Sequence, residues 1–177
     1  MNINKMIDKI ISLEGGFVDH KNDKGGATNY GITQHTYSRF LGVDSDYMYI
    51  KHLIKVMPKS TAALIYKQEY YYEPKINLLP ELLQEQVFDI CVNSGPSRAY
   101  KILQQAINEA GGANLVIDGK FGPNSWSALD LVLNDLKEVN NAMVDLRCQF
   151  YETIVIKDSS QNVFLKGWLN RARKFYQ

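Results

Sequence analysis

The chain has 177 residues, of which 45% are hydrophobic and 22% are charged, and its formal net charge is +1. This composition is typical of a globular protein, and the near-neutral charge gives no indication of nucleic-acid binding. No apolar run reaches the roughly 18 residues that a membrane span needs, so membrane insertion is not expected. Asp8, Lys9 and Ser12 interrupt the first isoleucines, so we expect an amphipathic helix here and no signal peptide.

The first predicted element is a helix that ends at a carboxylate. Apolar residues at positions 3, 6, 7, 10 and 11 have helical spacing, and Gly15 and Gly16 stop the helix. At about 100° per residue, Glu14 projects from the middle of the apolar stripe. Burial and the exposed carbonyls of the last turn would both favour its protonated form, which a general acid needs. The alternative is a solvent-facing Glu before a glycine cap.

A short β-hairpin is predicted next. Residues 17–20 and 27–33 are its candidate strands, and residues 22–26 between them are typical of a turn. Glu14 from the helix end, with Asp23 and Thr28 from the hairpin, would then converge on one cleft.

The rest of the chain is predicted to be helical. Thr33 caps a helix that ends at Gly42, and Asp44 or Ser45 caps the next. Further helices are predicted to begin at Pro58, Pro80 and Pro123, and Ser97 is predicted to cap another. A long helix is predicted over about residues 135–156, followed by a C-terminal helix with Phe164, Leu165, Trp168 and Leu169 inward.

Two polar or aromatic groups on these helices have two interpretations each. The tyrosines at positions 66 and 70–72 have helical spacing that is typical of core, although exposed rings could stack on sugars. Asp89 and Asn93 lie four residues apart on one helix face, where they either complete a buried network or line a cleft.

The cysteines and histidines indicate no special chemistry. Cys91 and Cys148 are far apart, and each lies in an apolar helical pattern, so we predict buried free thiols. His20, His35 and His52 lack the spacing of a metal site. We therefore predict neither a metal nor another cofactor.

Several motifs resemble those of a known family. Glu-Gly-Gly-Phe at 14–17, followed by Asp-Lys-Gly-Gly-Ala-Thr-Asn-Tyr-Gly-Ile-Thr at 23–33, resembles the signature of the glycoside hydrolase family 108 muramidases. These are phage endolysins and bacterial relatives with a lysozyme-like fold. The segment 88–95 resembles the Asp-x-x-x-Asn-Ser-Gly segment of that family, and 118–125 resembles a peptidoglycan-binding motif.

The resemblance implies a mainly α, lysozyme-like helical bundle in which one small hairpin forms a wall of the active-site cleft. It implies a catalytic lobe over residues 1–95 and a helical lobe over residues 96–177 that resembles a peptidoglycan-binding region. We expect the two lobes to pack as one compact unit and the protein to be a monomer.

The implied activity is hydrolysis of the β-1,4 bond between N-acetylmuramic acid and N-acetylglucosamine in bacterial peptidoglycan. Glu14 would be the general acid, and Asp23 and Thr28 would position water for inversion. An inverting enzyme needs carboxyl groups about 6.5 to 9.5 Å apart, whereas a retaining enzyme needs about 5 Å. The residues implied to contact substrate are Asn29, Tyr30, Asp89 and Asn93.

Two other functions fit the same residues. A lytic transglycosylase works with a single Glu, because the 6-hydroxyl of the substrate attacks, and it releases an anhydro-sugar. A non-catalytic wall-binding or secretion-accessory protein would keep the fold without activity. With no signal peptide expected, an enzyme of this kind would be made in the bacterial cytoplasm and reach the wall through a holin or a secretion system.

Overall fold

The structure is a computed structural model that describes residues 2–19, 26–46 and 48–177. Within this part of the chain, nine α-helices and one two-stranded antiparallel sheet confirm the predicted mainly helical fold with one small hairpin. The chain divides into two compact units, Met1–Lys75 and Ile76–Gln177. The division falls before the predicted lobe boundary at residue 95.

The described part of the first unit contains four α-helices and the sheet. Its helix α1 packs against α4, and Ile7, Ile10 and Ile11 of α1 are buried, as are Ile65 and Tyr66 of α4. A short π-helical turn, Gln68–Tyr72, follows α4. The elements are α1 (Ile3–Glu14), β1 (Thr28–Asn29), β2 (Ile32–Thr33), α2 (Gln34–Leu41), α3 (Ile50–Lys55) and α4 (Lys59–Lys67).

The hairpin differs from its prediction. Residues 27–33, predicted as one strand, form both β1 and β2, which pair Thr28 with Thr33. The turn residues Tyr30 and Gly31 have φ of +51° and +76°, and a two-residue type I′ turn needs positive φ at both positions. Of the predicted pairing with residues 17–20, the described residues show one antiparallel bridge, between Val18 and Thr28. Residues 20–25, with most of the predicted turn, lie outside the described residues.

Helix caps were predicted with mixed success. The Thr33 side chain accepts a hydrogen bond from the Thr36 backbone N–H, and Gly42 ends α2 in the left-handed conformation, as predicted. The cap at Asp44 or Ser45 is wrong, because α3 begins at Ile50 and the Asp44 carboxylate instead accepts from the Asp46 N–H in a local turn.

The second unit contains five helices around its own core. Helix α5 packs against α6 and α8, and α9 packs against α8. The predicted starts at Pro80 and Pro123 are confirmed to within one residue. The cap predicted at Ser97 is wrong, because Gly95 is the N-cap and Pro96 opens the helix. The elements are α5 (Glu81–Ser94), α6 (Pro96–Glu109), α7 (Pro123–Leu131), α8 (Leu136–Lys157) and α9 (Asn162–Arg173).

The C-terminal helix is less buried than predicted. Trp168 is half-buried and its ring lies 5.3 Å from the ring of Tyr151, measured between centroids. Phe164, predicted to face inward, is 53% exposed and stacks on the outer side of Trp168 at 5.8 Å. The core under α9 consists of Val144, Tyr151 and Ala172, and the partly buried Leu165 and Trp168 of the helix pack against it.

Candidate active site

Glu14 is the last residue of α1, and it is exposed. The prediction of burial is therefore wrong. Ile10 and Ile11, about one turn earlier on the helix, are buried. The chain then turns away at Gly15, whose φ is +75°, and no atom of the described residues would contact a Cβ at Gly15 or Gly16. Helical periodicity predicts which face of α1 carries Glu14, but it does not predict how far the neighbouring core extends along that face.

The stem of Glu14 lies against the turn of the hairpin. A Cβ placed on Gly31 would lie 2.8 Å from Glu14 Cγ and 2.5 Å from Tyr66 Oη. Both distances are below van der Waals contact, so only glycine fits at this position. The end of α1, the β1–β2 turn and the Tyr66 hydroxyl therefore adjoin within the first unit.

Tyr66 holds this turn in place through a hydrogen bond. It is 2% exposed, and its hydroxyl donates a hydrogen bond of 2.9 Å to the Tyr30 carbonyl. The core interpretation of the tyrosine cluster fits Tyr66 and Tyr71, which are buried, whereas Tyr72 is 43% exposed. Sequence reasoning missed the role of Tyr66 in positioning the turn, because nothing local to that helix reveals which loop its hydroxyl meets.

The other predicted residues of the hairpin differ in exposure. Thr28 is half-buried in β1, and its backbone exchanges two 2.8 Å hydrogen bonds with Val18. Asn29 is 4% exposed, and its side-chain amide donates to the carbonyls of Ile54 at 2.8 Å and Lys55 at 3.3 Å. Asn29 thus ties the hairpin to the end of α3. Asp23 lies outside the described residues.

Asp89 and Asn93, on α5 in the second unit, differ in their burial. Asp89 is 8% exposed and accepts from Arg147 Nη2 at 2.5 Å and from Arg171 Nη2 at 2.8 Å. Arg147 is fully buried, and its Nε also donates to Tyr151 Oη at 2.8 Å. For Asp89, the buried-network interpretation therefore fits and a direct substrate contact does not. Asn93 is exposed on the last turn of α5.

The segment that resembles a peptidoglycan-binding motif is built around Gln104. This side chain is 1% exposed; its Nε2 donates to Asp118 Oδ1 at 3.0 Å and its Oε1 accepts from the Gly119 N–H at 2.9 Å. The hydrogen bond from Gln104, together with the Lys120 backbone N–H, lowers the pKa of the Asp118 carboxyl. The loop borders a cavity of about 610 Å³ that also includes Ser125. No sequence signal distinguished Gln104 from the surface glutamines.

The thiols are free, as predicted. Cys91 is buried, which raises its pKa to about 12, whereas Cys148 is only half-buried. In the described part of the chain, no three His, Cys, Asp or Glu side chains lie close enough to hold a metal ion. Among the same residues, no helix has the length and apolar character of a membrane span.

Comparison with known proteins agrees with this architecture. A Predicted Peptidoglycan domain matches residues 98–173, and a Glycosyl hydrolase 108 model matches residues 7–95. The two matches define a glycoside hydrolase that acts on cell-wall peptidoglycan. Because the second match covers half of the sequence, the chain belongs to the Glycosyl hydrolase 108 family. The predicted family and enzyme class are thereby confirmed.

A solved structure supports the same fold. The structure of SagA from Brucella abortus has a TM-score of 0.75 and 28% sequence identity to this chain, and the alignment covers 98% of this chain and 91% of SagA. The predicted lysozyme-like fold class is confirmed. No curated protein matches the sequence.

Proposed function

We propose that the chain is a muramidase that hydrolyses the β-1,4 bond between N-acetylmuramic acid and N-acetylglucosamine, with Glu14 as the general acid. One observation carries the proposal: the exposed carboxylate of Glu14 stands at the end of α1, with its stem fixed against the Gly31 turn. A general acid must reach the glycosidic oxygen and must also be held in a defined position.

The surroundings of Glu14 supply both conditions. Exposure leaves the carboxyl group accessible to a sugar chain. The stem of Glu14 lies against the Gly31 backbone, and the hydrogen bond from Tyr66 to the Tyr30 carbonyl fixes the turn itself. A bound glycan would cover the carboxyl group and exclude water, which makes proton donation to the leaving oxygen more favourable.

We assign the second catalytic role to the hairpin. Asp23 would act as general base on a water molecule that the Thr28 hydroxyl orients, so that the product forms with inversion. Thr28 lies in β1, two residues before the turn that contacts Glu14. Tyr30, in the turn, and Asn93 are the remaining candidates for substrate contacts. Asp89 is assigned to positioning α5 through its two arginine partners.

The test is clearing of purified peptidoglycan by the wild type and by Glu14→Gln, Asp23→Asn and Thr28→Ala, with the products analysed by mass. Glu14→Gln is expected to slow clearing by roughly 10²–10⁴-fold, the usual contribution of a positioned acid. Asp19→Asn is the matched control, because Asp19 is an exposed carboxylate of the same segment that pairs with Lys51 at 3.4 Å. It should retain wild-type clearing.

The products decide the mechanism. Hydrated reducing-end muropeptides that form first as the α-anomer, seen by NMR, would support an inverting hydrolase. An initial β-anomer would indicate retention and remove the water-activating role of Asp23, and an anhydro-sugar would establish a lytic transglycosylase. Equal clearing by Glu14→Gln and the wild type would show that the acid is another residue.

A further inference from the structure

A cavity of about 320 Å³ lies between α6 and α8 in the second unit, and we call it the α6–α8 pocket. Its volume is within the roughly 300–1,000 Å³ range of small-ligand sites. Its floor is apolar: Ile102 and Leu146 are buried, and the edges of Phe150 and Ile154 are half-buried. Ile117, from the loop before α7, is 42% exposed at its rim.

The charged groups around this floor are all cationic. Arg98 and Lys101 come from α6 and Lys157 from the end of α8, and no carboxylate is among the described residues that line the pocket. The Arg98 guanidinium lies 4.2 Å from the centroid of the Phe150 ring, so it is held over the floor. Gln105, Gln149 and Thr153 supply the remaining polar groups.

These three cations have no acidic partner among the described residues. In the described part of the chain, neither Arg98, Lys101 nor Lys157 forms an ion pair. Several other cations do: Arg39, Lys51, Lys59, Arg147 and Arg171 each pair with a carboxylate. Three unpaired positive charges around one apolar hollow make a site for a ligand that combines carboxylates with short aliphatic groups.

We propose that the α6–α8 pocket binds the peptide stem of peptidoglycan through its free carboxylates. The proposal rests on peptidoglycan as the substrate of this chain. All lining residues fall within 98–173, the range matched by the Predicted Peptidoglycan domain. The peptide stem carries free carboxylates between alanine side chains, which matches the cations and the apolar floor. The hexosamine rings carry no charge, so they would not use the cations.

The test is calorimetric titration of the full chain with two synthetic peptides. One is the tetrapeptide L-Ala-γ-D-Glu-L-Lys-D-Ala as the free acid, and the other is the same peptide with both carboxyl groups amidated. The free acid is expected to bind, and added salt should weaken its binding. Amidation should weaken binding by about tenfold or more, because each screened ion pair contributes up to about fivefold.

Variants locate the binding. The double variant Lys101→Gln/Lys157→Gln should lose about tenfold in affinity for the free acid. Arg98→Lys keeps the charge and should bind more tightly than Arg98→Gln. The matched control is Lys137→Gln/Lys166→Gln, which removes two exposed cations of α8 and α9 outside the pocket and should leave the affinity unchanged.

Several outcomes would overturn the proposal. Equal binding of the amidated peptide, or of the Lys101→Gln/Lys157→Gln variant, would remove the carboxylate contact. Binding of anionic phosphatidylglycerol vesicles that the double variant abolishes, without peptide binding, would make the pocket a lipid site. If the protein clears walls through Glu14 but binds no stem peptide, the result refutes only the proposal for the α6–α8 pocket. Peptide binding with unimpaired clearing by Glu14→Gln refutes only the proposed acid.

Discussion

Gly31→Ala tests whether the hairpin turn and the stem of Glu14 are in close contact. The new methyl group would lie 2.5 Å from Tyr66 Oη and 2.8 Å from Glu14 Cγ, so at least one of these side chains must move. A non-glycine residue must also adopt a φ near +76° at this position. The substitution therefore combines backbone strain with overpacking at the proposed catalytic acid.

Both effects lower the free energy of unfolding. Left-handed backbone costs an alanine roughly 1–2 kcal/mol, and an unaccommodated methyl group costs roughly 1–3 kcal/mol. We therefore expect a destabilisation of roughly 2–5 kcal/mol, which corresponds to a fall in Tm of roughly 4–20 °C for a chain of this size. Clearing of peptidoglycan should fall even at temperatures where the variant is folded, because Glu14 is displaced.

Gly42→Ala is the matched control. Gly42 has a φ of +69°, and no atom of the described residues would lie within 4 Å of its Cβ, so it bears only the backbone strain of about 1–2 kcal/mol. Thermal unfolding and wall clearing are measured for both variants and for Gly31→Ala/Tyr66→Phe, in which the nearest clashing atom is removed. The contact is refuted if the two glycine variants are equally stable and equally active, or if Gly31→Ala lowers the stability of Tyr66→Phe by as much as it lowers that of the wild type.

Three further predictions concern buried polar groups. Asp89→Ala should cost about 3–5 kcal/mol in urea unfolding, because it leaves the fully buried charge of Arg147 without one of its partners. Asn29→Ala should cost about 1–3 kcal/mol in the same assay, because two carbonyls at the end of α3 lose a side-chain donor and the buried hydrogen bonds that tie the hairpin to this helix are lost. In the native protein at pH 8, Cys91 should resist alkylation, since its buried thiol has a pKa of about 12, whereas the half-buried Cys148 should react slowly.

Each of these has a control on the same chain. Asp130→Ala and Asn4→Ala remove exposed groups of the same kinds and should change stability by less than about 0.5 kcal/mol. Unfolding in guanidinium chloride should make both thiols react at similar rates. An Asp89 or Asn29 variant as stable as its control would show that the buried hydrogen bonds contribute little. Rapid alkylation of native Cys91, followed by mass spectrometry, would contradict its burial.

The features predicted correctly are those that local sequence determines. The Thr33 cap and the Gly42 stop depend on one side chain or one left-handed residue within a turn of the helix end, so each leaves its own signal. The hairpin was misplaced because its turn puts Tyr30 at a positive φ, where asparagine or glycine is the usual signal. Gly31 is a residue that this turn type favours, but Tyr30 is not, so the two residues together did not indicate a turn.

The other differences between prediction and structure depend on tertiary contacts between distant parts of the chain. Asp89 meets Arg147 and Arg171, which lie 58 and 82 residues further along the chain, and no spacing rule connects residues so far apart. The exposure of Glu14 depends on how far other elements pack along α1, and helical periodicity does not predict that extent. The role of Gln104 likewise requires the loop at 118–120 to fold back onto α6.

The packing of α5 determines where this chain can be cut and joined to another. The Glycosyl hydrolase 108 match includes α5, yet its side chains pack with α6 and α8, and Asp89 pairs with guanidinium groups beyond residue 96. A chimera joined at residue 95 would take the two sides of one hydrophobic core from different proteins. It could also leave the buried charge of Arg147 without its carboxylate partner. A junction between Lys75 and Ile76 keeps that core intact. Wall-targeting regions exchanged between relatives should therefore be transferred together with the last helix of the hydrolase match.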